Sequence, residues 1–282
     1  MGIACVILAS LLFTGLDALT KHYSTRVPIP FTLMIRFWAF SGLTLIVAAR
    51  SPGGLRGAVR SRRPLIQILR GILLLAEVYA VAVSFKTIPL ADMQSLFALY
   101  PLIVMVMAVF LLREHIVWQQ WLAAAVGFGG LLIVVRPGFA QVPPQTLWVL
   151  AASVTYALYN VLTRMVGESD TPATTFLYTG MVGFVLTTST GAFAWTSIPL
   201  ADWLGIAALC LTGVLGHMLV IRSLHFAPAS VLQPFNYLQL IWSTIMGYLA
   251  FGAIPDGWTV VGGAVVALSG LYALTRTGAP AL

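Results

Sequence analysis

The chain has 282 residues, of which 60% are apolar and only 8% charged, with a formal net charge of +7. An ordinary soluble domain is about a quarter charged, and so few charges could not cover the surface of a water-soluble fold of this size. Composition therefore excludes a soluble enzyme, a secreted disulfide scaffold and a disordered regulator, and leaves an all-α polytopic membrane protein.

Apolar runs of about twenty residues, enough for a helix to cross a hydrocarbon core of about 30 Å, predict ten spans. They cover residues 3–22, 31–49, 65–86, 91–112, 117–135, 146–166, 173–195, 203–223, 229–251 and 258–275. The stretch from Ile3 to Tyr23 is too long for the core of a cleaved signal and has no basic residues before it. On this first span Asp17 and Lys21 stand four apart and share a face. Arg36, near the start of the second, falls at a depth similar to Asp17. Asp17, Lys21 and Arg36 therefore form a candidate ion-pair group, read either as a clamp between neighbouring helices or as a gating or substrate-binding element.

On the third span Arg70, Glu77 and Ser84 recur every seven residues on one face, and Glu77 is the deepest carboxylate in the chain. It suits a substrate ammonium or a proton, or else it pairs within the protein. Tyr79 lies beside it. The fourth span offers Gln94, Tyr100 and a helix-breaking Pro101. The sixth carries Ser153, Tyr156, Asn160 and Thr163 as one stripe, with Tyr159 adjacent. His217, in a Gly213-x-x-Gly216-His217 context, reads as a structural imidazole or a proton relay. The ninth span holds Gln233, Pro234, Asn236, Tyr237, Gln239, Trp242, Ser243 and Thr244.

Lipid-facing helices do not carry such polar density, so these stripes are expected to line a central cavity or helix contacts. Spans one, three, four, six, eight and nine are expected around it, with the nearly apolar fifth and tenth at the periphery. Four amides (Gln94, Asn160, Gln233, Asn236) suit the two ends of a zwitterion, and the rings of Tyr79, Tyr100, Tyr156 or Tyr159, and Trp242 suit an apolar side chain. Trp118, Trp121, Trp195, Trp203 and Trp258 near span ends read as interfacial anchors.

Ten arginines (50, 56, 60, 62, 63, 70, 113, 164, 222 and 276) fall in or near one set of connections, and only Lys21, Arg26, Lys86 and Arg136 near the other. Basic residues stay on the cytoplasmic side, which predicts cytoplasmic termini. The same placement in membrane-flanking loops argues against nucleic acid as a partner. A shift of 139 residues brings Pro89 onto Pro228 and Gln94 onto Gln233, each pair opening the fourth span of a five-span half. An odd number of spans per half gives the halves opposite orientation, an inverted repeat of the kind transporters use.

Several stretches together carry a family resemblance. They are Met34-Ile35-Arg36-Phe37, Leu69-Arg70-Gly71, and Thr87-Ile88-Pro89-Leu90-Ala91 through Tyr100-Pro101-Leu102. Leu111-Leu112-Arg113-Glu114 and Val135-Arg136-Pro137-Gly138 complete the set. The chain resembles the drug/metabolite transporter superfamily, specifically its ten-helix EamA-type exporters, and within them the aromatic amino-acid exporters of the YddG type. The resemblance implies two five-helix repeats, 1–138 and 139–282, around a central cavity. It also implies alternating-access export of amino acids or similar small amphipathic metabolites across a bacterial cytoplasmic membrane. One departure is that Gly252 is followed by Ala253, where the second repeat often has an acid.

A membrane-embedded enzyme is the rival class. Against it, there is no HExxH pair and no Ser/His/Asp set at matching depth, and His22, His115, His217 and His225 fall mostly at span ends. No nucleotide-binding loop is present, and Cys5 and Cys210 lie in apolar runs without metal spacing. Neither cofactor nor metal is expected; the partners are a small-molecule substrate and the lipid bilayer.

Overall fold

The computed structural model describes residues 1–88, 90–135, 146–252 and 257–276, and every regular element among them is helical. Pro89, Arg136 and the 138/139 boundary of the sequence reading lie outside the described residues. In chain order the first half comprises α1 (Gly2–Ser24), α2 (Ile29–Ala49), the short α3 (Gly54–Val59), α4 (Pro64–Ser84), α5 (Leu90–Phe97), α6 (Tyr100–Met107) and α7 (Trp118–Val135). The second comprises α8 (Thr146–Gly167), α9 (Pro172–Gly191), α10 (Leu200–Phe226), α11 (Ala229–Asn236), α12 (Leu238–Phe251) and α13 (Gly257–Arg276). Six of these (α1, α2, α4, α8, α9 and α10) are long and apolar enough to cross a membrane.

The apolar runs 91–112 and 229–251 are not continuous helices. Each is broken beside a proline. Pro101, in the first turn of α6, has no N–H to offer the carbonyl of Phe97, and that carbonyl is met by Ser153 Oγ of α8 at 3.4 Å. Pro234 sits inside α11, three residues before the break at Tyr237. After α6 the chain widens into a π turn over Ala108–Leu112 and stops at Arg113, whose φ is 55°.

The two halves follow the same succession. α5 and α11 are each eight residues long, 139 residues apart at both ends. Arg113 and Gly252, also 139 apart, both end a helix in the left-handed conformation. The largest packings follow the same pattern: α1 lies on α10 as α8 lies on α4, while α2 pairs with α9 and α7 with α13.

The α2–α9 crossing depends on a small residue. A Cβ on Gly183 would stand 2.0 Å from Phe37 Cδ1, where Phe37 joins Phe40, Phe176, Val214 and Ile221 in a buried cluster. Beneath that cluster α4, α8 and α9 are tied by Arg70, which is wholly buried. Its guanidinium donates to Thr163 Oγ1 (3.0 Å), Gln67 Oε1 (2.9 Å), the Thr175 carbonyl (2.7 Å) and Tyr159 Oη (3.2 Å). Gln67 passes the network to Asp170, in the α8–α9 turn, donating to Oδ2 at 2.9 Å. Ser61 Oγ and the Arg62 N–H also donate to that carboxylate. Burial alone would raise the Asp170 carboxyl, but these hydrogen bonds outweigh it and hold the group below its ordinary range.

Two outcomes follow from this packing. Gly183→Ala should force the Phe37 ring aside and cost about 1–3 kcal/mol, read as a lowered thermal-unfolding midpoint of the detergent-solubilised protein. A depressed folded-state value at Asp170 means its stabilisation is present above the ordinary carboxylate range and lost as pH falls through the lowered value. Asp170→Asn should therefore be less stable at neutral pH, while below about pH 4 it should lose less further stability than the parent; an unchanged acid profile would contradict the assignment.

Candidate functional site

At the centre of the bundle is a cavity whose polar lining comes from six helices. α1 supplies Asp17 and Thr20, α2 Arg36, α4 Glu77, α5 Gln94, α10 His217 and α12 Gln239. Phe13, Phe97 and Tyr156 give it ring surfaces. The open space is about 40 Å³, room for a few waters and not for a metabolite.

The charged groups are held by different means. Asp17 Oδ2 accepts from the side-chain amides of both Gln94 and Gln239 (3.1 Å for the latter), so one carboxylate joins α1 to the two broken spans. Arg36 Nη2 stands 3.2 Å from His217 Nε2. A guanidinium only donates, so this nitrogen of His217 accepts and the imidazole proton sits on Nδ1. Arg36 Nε and His217 Nδ1 are buried without a hydrogen-bond partner among the described residues. Glu77 is 93% buried in residue terms, being 7% exposed, and no hydrogen bond reaches its carboxylate among the described residues. The charge of Arg36 acts on both carboxylates.

Local sequence explains the geometry. A Cβ on Gly216 would meet Phe13 Cε1 at 2.5 Å, and one on Gly213 would meet Arg36 Nε at 3.1 Å. The small residues before His217 thus let α1 and α2 present these side chains against α10. Within the lining Tyr156 packs on Phe97 (5.5 Å between centroids), and it is backed by Tyr100 (4.9 Å) and Tyr159 (5.8 Å).

Of the residues singled out in the sequence, Asp17, Arg36, Glu77, Gln94, Tyr156 and His217 meet at this cavity. The anticipated Asp17–Arg36 ion pair does not form within 4 Å: amides take Asp17 and His217 takes Arg36. Lys21 turns away to the end of α4, donating to the carbonyls of Phe85 (3.5 Å) and Ile88 (3.0 Å). Tyr79, two residues from Glu77, points to the opposite face of α4 and is 42% exposed. Tyr100 and Tyr159 lie one layer behind the lining, Tyr159 bound by Arg70.

The other amides are spent on the helices themselves. Asn160 donates to the Tyr156 carbonyl (2.8 Å), Gln233 to the Ala229 carbonyl (3.0 Å), and Asn236 to Gln233 Oε1 (3.0 Å). Tyr237 packs with Ala98 and Leu240, and Trp242 is half-buried, its Nε1–H donating to no acceptor among the described residues; neither lines the cavity. The sequence names Gln239 only as one polar residue among many on its span and does not single it out for the site. Nor does it single out Phe13 and Phe97, which nothing local distinguishes from lipid-facing phenylalanines.

A family model for EamA-like transporters matches the chain twice, over residues 1–136 and 144–276. The chain belongs to the EamA-like transporter family. It is therefore a multi-pass integral membrane protein of a transporter family, not of an enzyme family. Among its relatives is an S-adenosylmethionine uptake transporter of Rickettsia bellii, 25% identical over 96% of this chain and 92% of that protein. A riboflavin transporter of Vibrio cholerae is 22% identical over 95% and 91%. A pseudopaline exporter, CntI, of Pseudomonas aeruginosa is 24% identical over 98% and 96%. A crystal structure of another protein shares the fold, with a TM-score of 0.76 over 97% of this chain and 96% of that one at 21% identity. These relatives carry small metabolites of several kinds, and none of the three is an aromatic amino-acid exporter, so the finer resemblance to the YddG type is not supported.

The hydrogen-bond pattern separates two carboxylates that look alike in the sequence. Asp17→Ala should leave two buried amides without their acceptor and destabilise the EamA protein by about 1–3 kcal/mol. Glu77→Gln, which breaks no hydrogen bond, should unfold within a degree or two of the parent, about the size of a surface change; thermal unfolding in detergent measures both.

Proposed function

We propose that this EamA-family protein is a secondary transporter for small metabolites that carry an amino-acid-type zwitterion next to a flat or apolar group. Ten spans, arranged as inverted five-helix halves over 1–138 and 139–282, would work by alternating access with both termini in the cytoplasm. The orientation rests on the arginine distribution, and the inversion on the repeated succession of elements with an odd span count.

The observation that carries the substrate class is the meeting of Asp17, Glu77 and Arg36 beside the rings of Phe97 and Tyr156. Two carboxylates and one guanidinium give acceptors for an ammonium, negative charge to face a sulfonium, and donors for a carboxylate. The unengaged Glu77 carboxylate and Arg36 Nε are the groups left for a substrate to complete. Aromatic faces supply area without demanding one side-chain shape. Amino acids meet this description, and so does S-adenosylmethionine, the substrate named for the Rickettsia relatives. It is itself an amino acid, with a sulfonium centre and a flat base.

Proteoliposomes loaded with labelled compound would test the class. S-adenosylmethionine and phenylalanine should exchange across the membrane, whereas riboflavin, which lacks an α-amino-acid group, should not. Glu77→Gln should weaken binding of the accepted compounds by roughly 10–100-fold, the scale of losing a hydrogen bond to a charged group. Exchange of riboflavin with neither of the others would overturn the reading.

A further inference from the structure

The repeat is broken in chemistry at one place where it is kept in backbone. Directly after the left-handed Arg113, the Glu114 carboxylate reaches the start of α11. Oε1 accepts the Ala229 N–H (3.0 Å), and Oε2 accepts the Ser230 N–H (3.0 Å) and Ser230 Oγ (2.6 Å). Arg164 of α8 stands beside it, its Nε 3.7 Å from Oε1, while Nη1 donates to the Leu224 carbonyl near the end of α10 at 3.0 Å. The first N–H groups of a helix and the last carbonyls lack partners in their own helix. Here one anion and one cation supply them on either side of the turn at Ala227–Pro228. The pair is mostly shielded from solvent, with side chains 12% and 22% exposed, which favours such charge-assisted bonds.

In the other half the offset of 139 puts Gly252 at the place of Arg113, again left-handed, and alanine at the place of Glu114. The carbonyl matching Leu224 is that of Phe85, which accepts from Lys21 Nζ. The two ends of the molecule are therefore secured by different groups, and the chain has a carboxylate at only one of the two matching positions.

We propose that Glu114 is the latch of the transport cycle. Its bonds to the α11 N-terminus hold the cavity shut at that face and must break for α11 to move and open it. Alanine rather than a carboxylate at the matching sequence position of the other half biases the unloaded protein toward the state closed at the Glu114 face. Glu114 is a positioning residue: it stands apart from the cavity and acts through α11. Naming this face cytoplasmic rests on the orientation proposed above.

The test uses the full-length protein with Cys5→Ser and Cys210→Ala and a single reporter cysteine at the cavity, Met93→Cys. It is labelled by a membrane-impermeant maleimide in inside-out and right-side-out vesicles. Glu114→Gln should speed labelling in inside-out vesicles about tenfold. Arg164→Gln and Ser230→Ala, each removing part of the latch, should act in the same direction by about two- to threefold. Acceleration confined to right-side-out vesicles would uphold the latch and overturn the orientation. Labelling unchanged from both sides in all three variants would overturn the latch, including where unfolding midpoints fall, since that is the signature of a purely structural contact.

Discussion

A charge in the interior of a membrane protein has no bulk water to fall back on, and the organisation of this fold follows from that constraint. Even the mildest insertion scales put an arginine or aspartate at mid-helix about 3 kcal/mol uphill. Yet Asp17, Arg36, Arg70 and Glu77 are all buried. Two solutions are in place. Arg70 is surrounded by oxygens of Gln67, Tyr159, Thr163 and Thr175 and lies 5.0 Å from the Tyr159 ring centroid. Arg36, Asp17 and Glu77 face a cavity instead, and their hydrogen bonding is only partly filled. Full satisfaction makes a wall, whereas partial satisfaction leaves something for a ligand to contribute.

The broken helices serve the same constraint. Breaking a helix in an apolar medium frees backbone groups that need partners from elsewhere, so breaks persist where other elements supply them. Ser153 meets the carbonyl that Pro101 leaves, and Glu114 meets the donors at the start of α11. Gln94 on α5 and Gln239 on α12, within four residues of the breaks, are the side chains that hold Asp17. Any change in the angle of α5 or α12 is felt directly at that carboxylate, and the reverse also holds. Asp17 and the two broken spans are thus joined by two hydrogen bonds rather than by a long chain of contacts.

Much of this was legible in the sequence. Length of apolar runs, arginine spacing and polar stripes report on the membrane, and they indicated a helical transporter with Asp17, Arg36, Glu77, Gln94, Tyr156 and His217 among its interior groups. What the sequence could not convey was pairing. Asp17 and Arg36 lie at similar depth, which suggested an ion pair, but depth does not fix azimuth, and Gln94 and Gln239 from distant spans reach Asp17 first. Asn160 and Gln233 look like binding amides in a list, yet each returns to the carbonyl four residues before it, a local option open to any amide on a helix. Tyr79 was misplaced for a simpler reason: two residues along a helix is a turn of about 200°, which carries it to the face opposite Glu77.

Amides expected to hold the two ends of a zwitterion have a second role in this structure. An uncharged pocket would avoid the cost of burying carboxylates but would bind a zwitterion only through weak dipoles. The structure keeps the charges and uses the amides of Gln94 and Gln239 to steady one of them. Two carboxylates opposite one guanidinium form an arrangement that a cationic or zwitterionic guest improves on entering, provided the surrounding helices close to exclude water. The lining side chains leave about 40 Å³ of open space between the helices that carry them, less than a metabolite occupies. A metabolite must hold them apart by its own volume, so binding and helix movement are coupled by sterics as well as by charge.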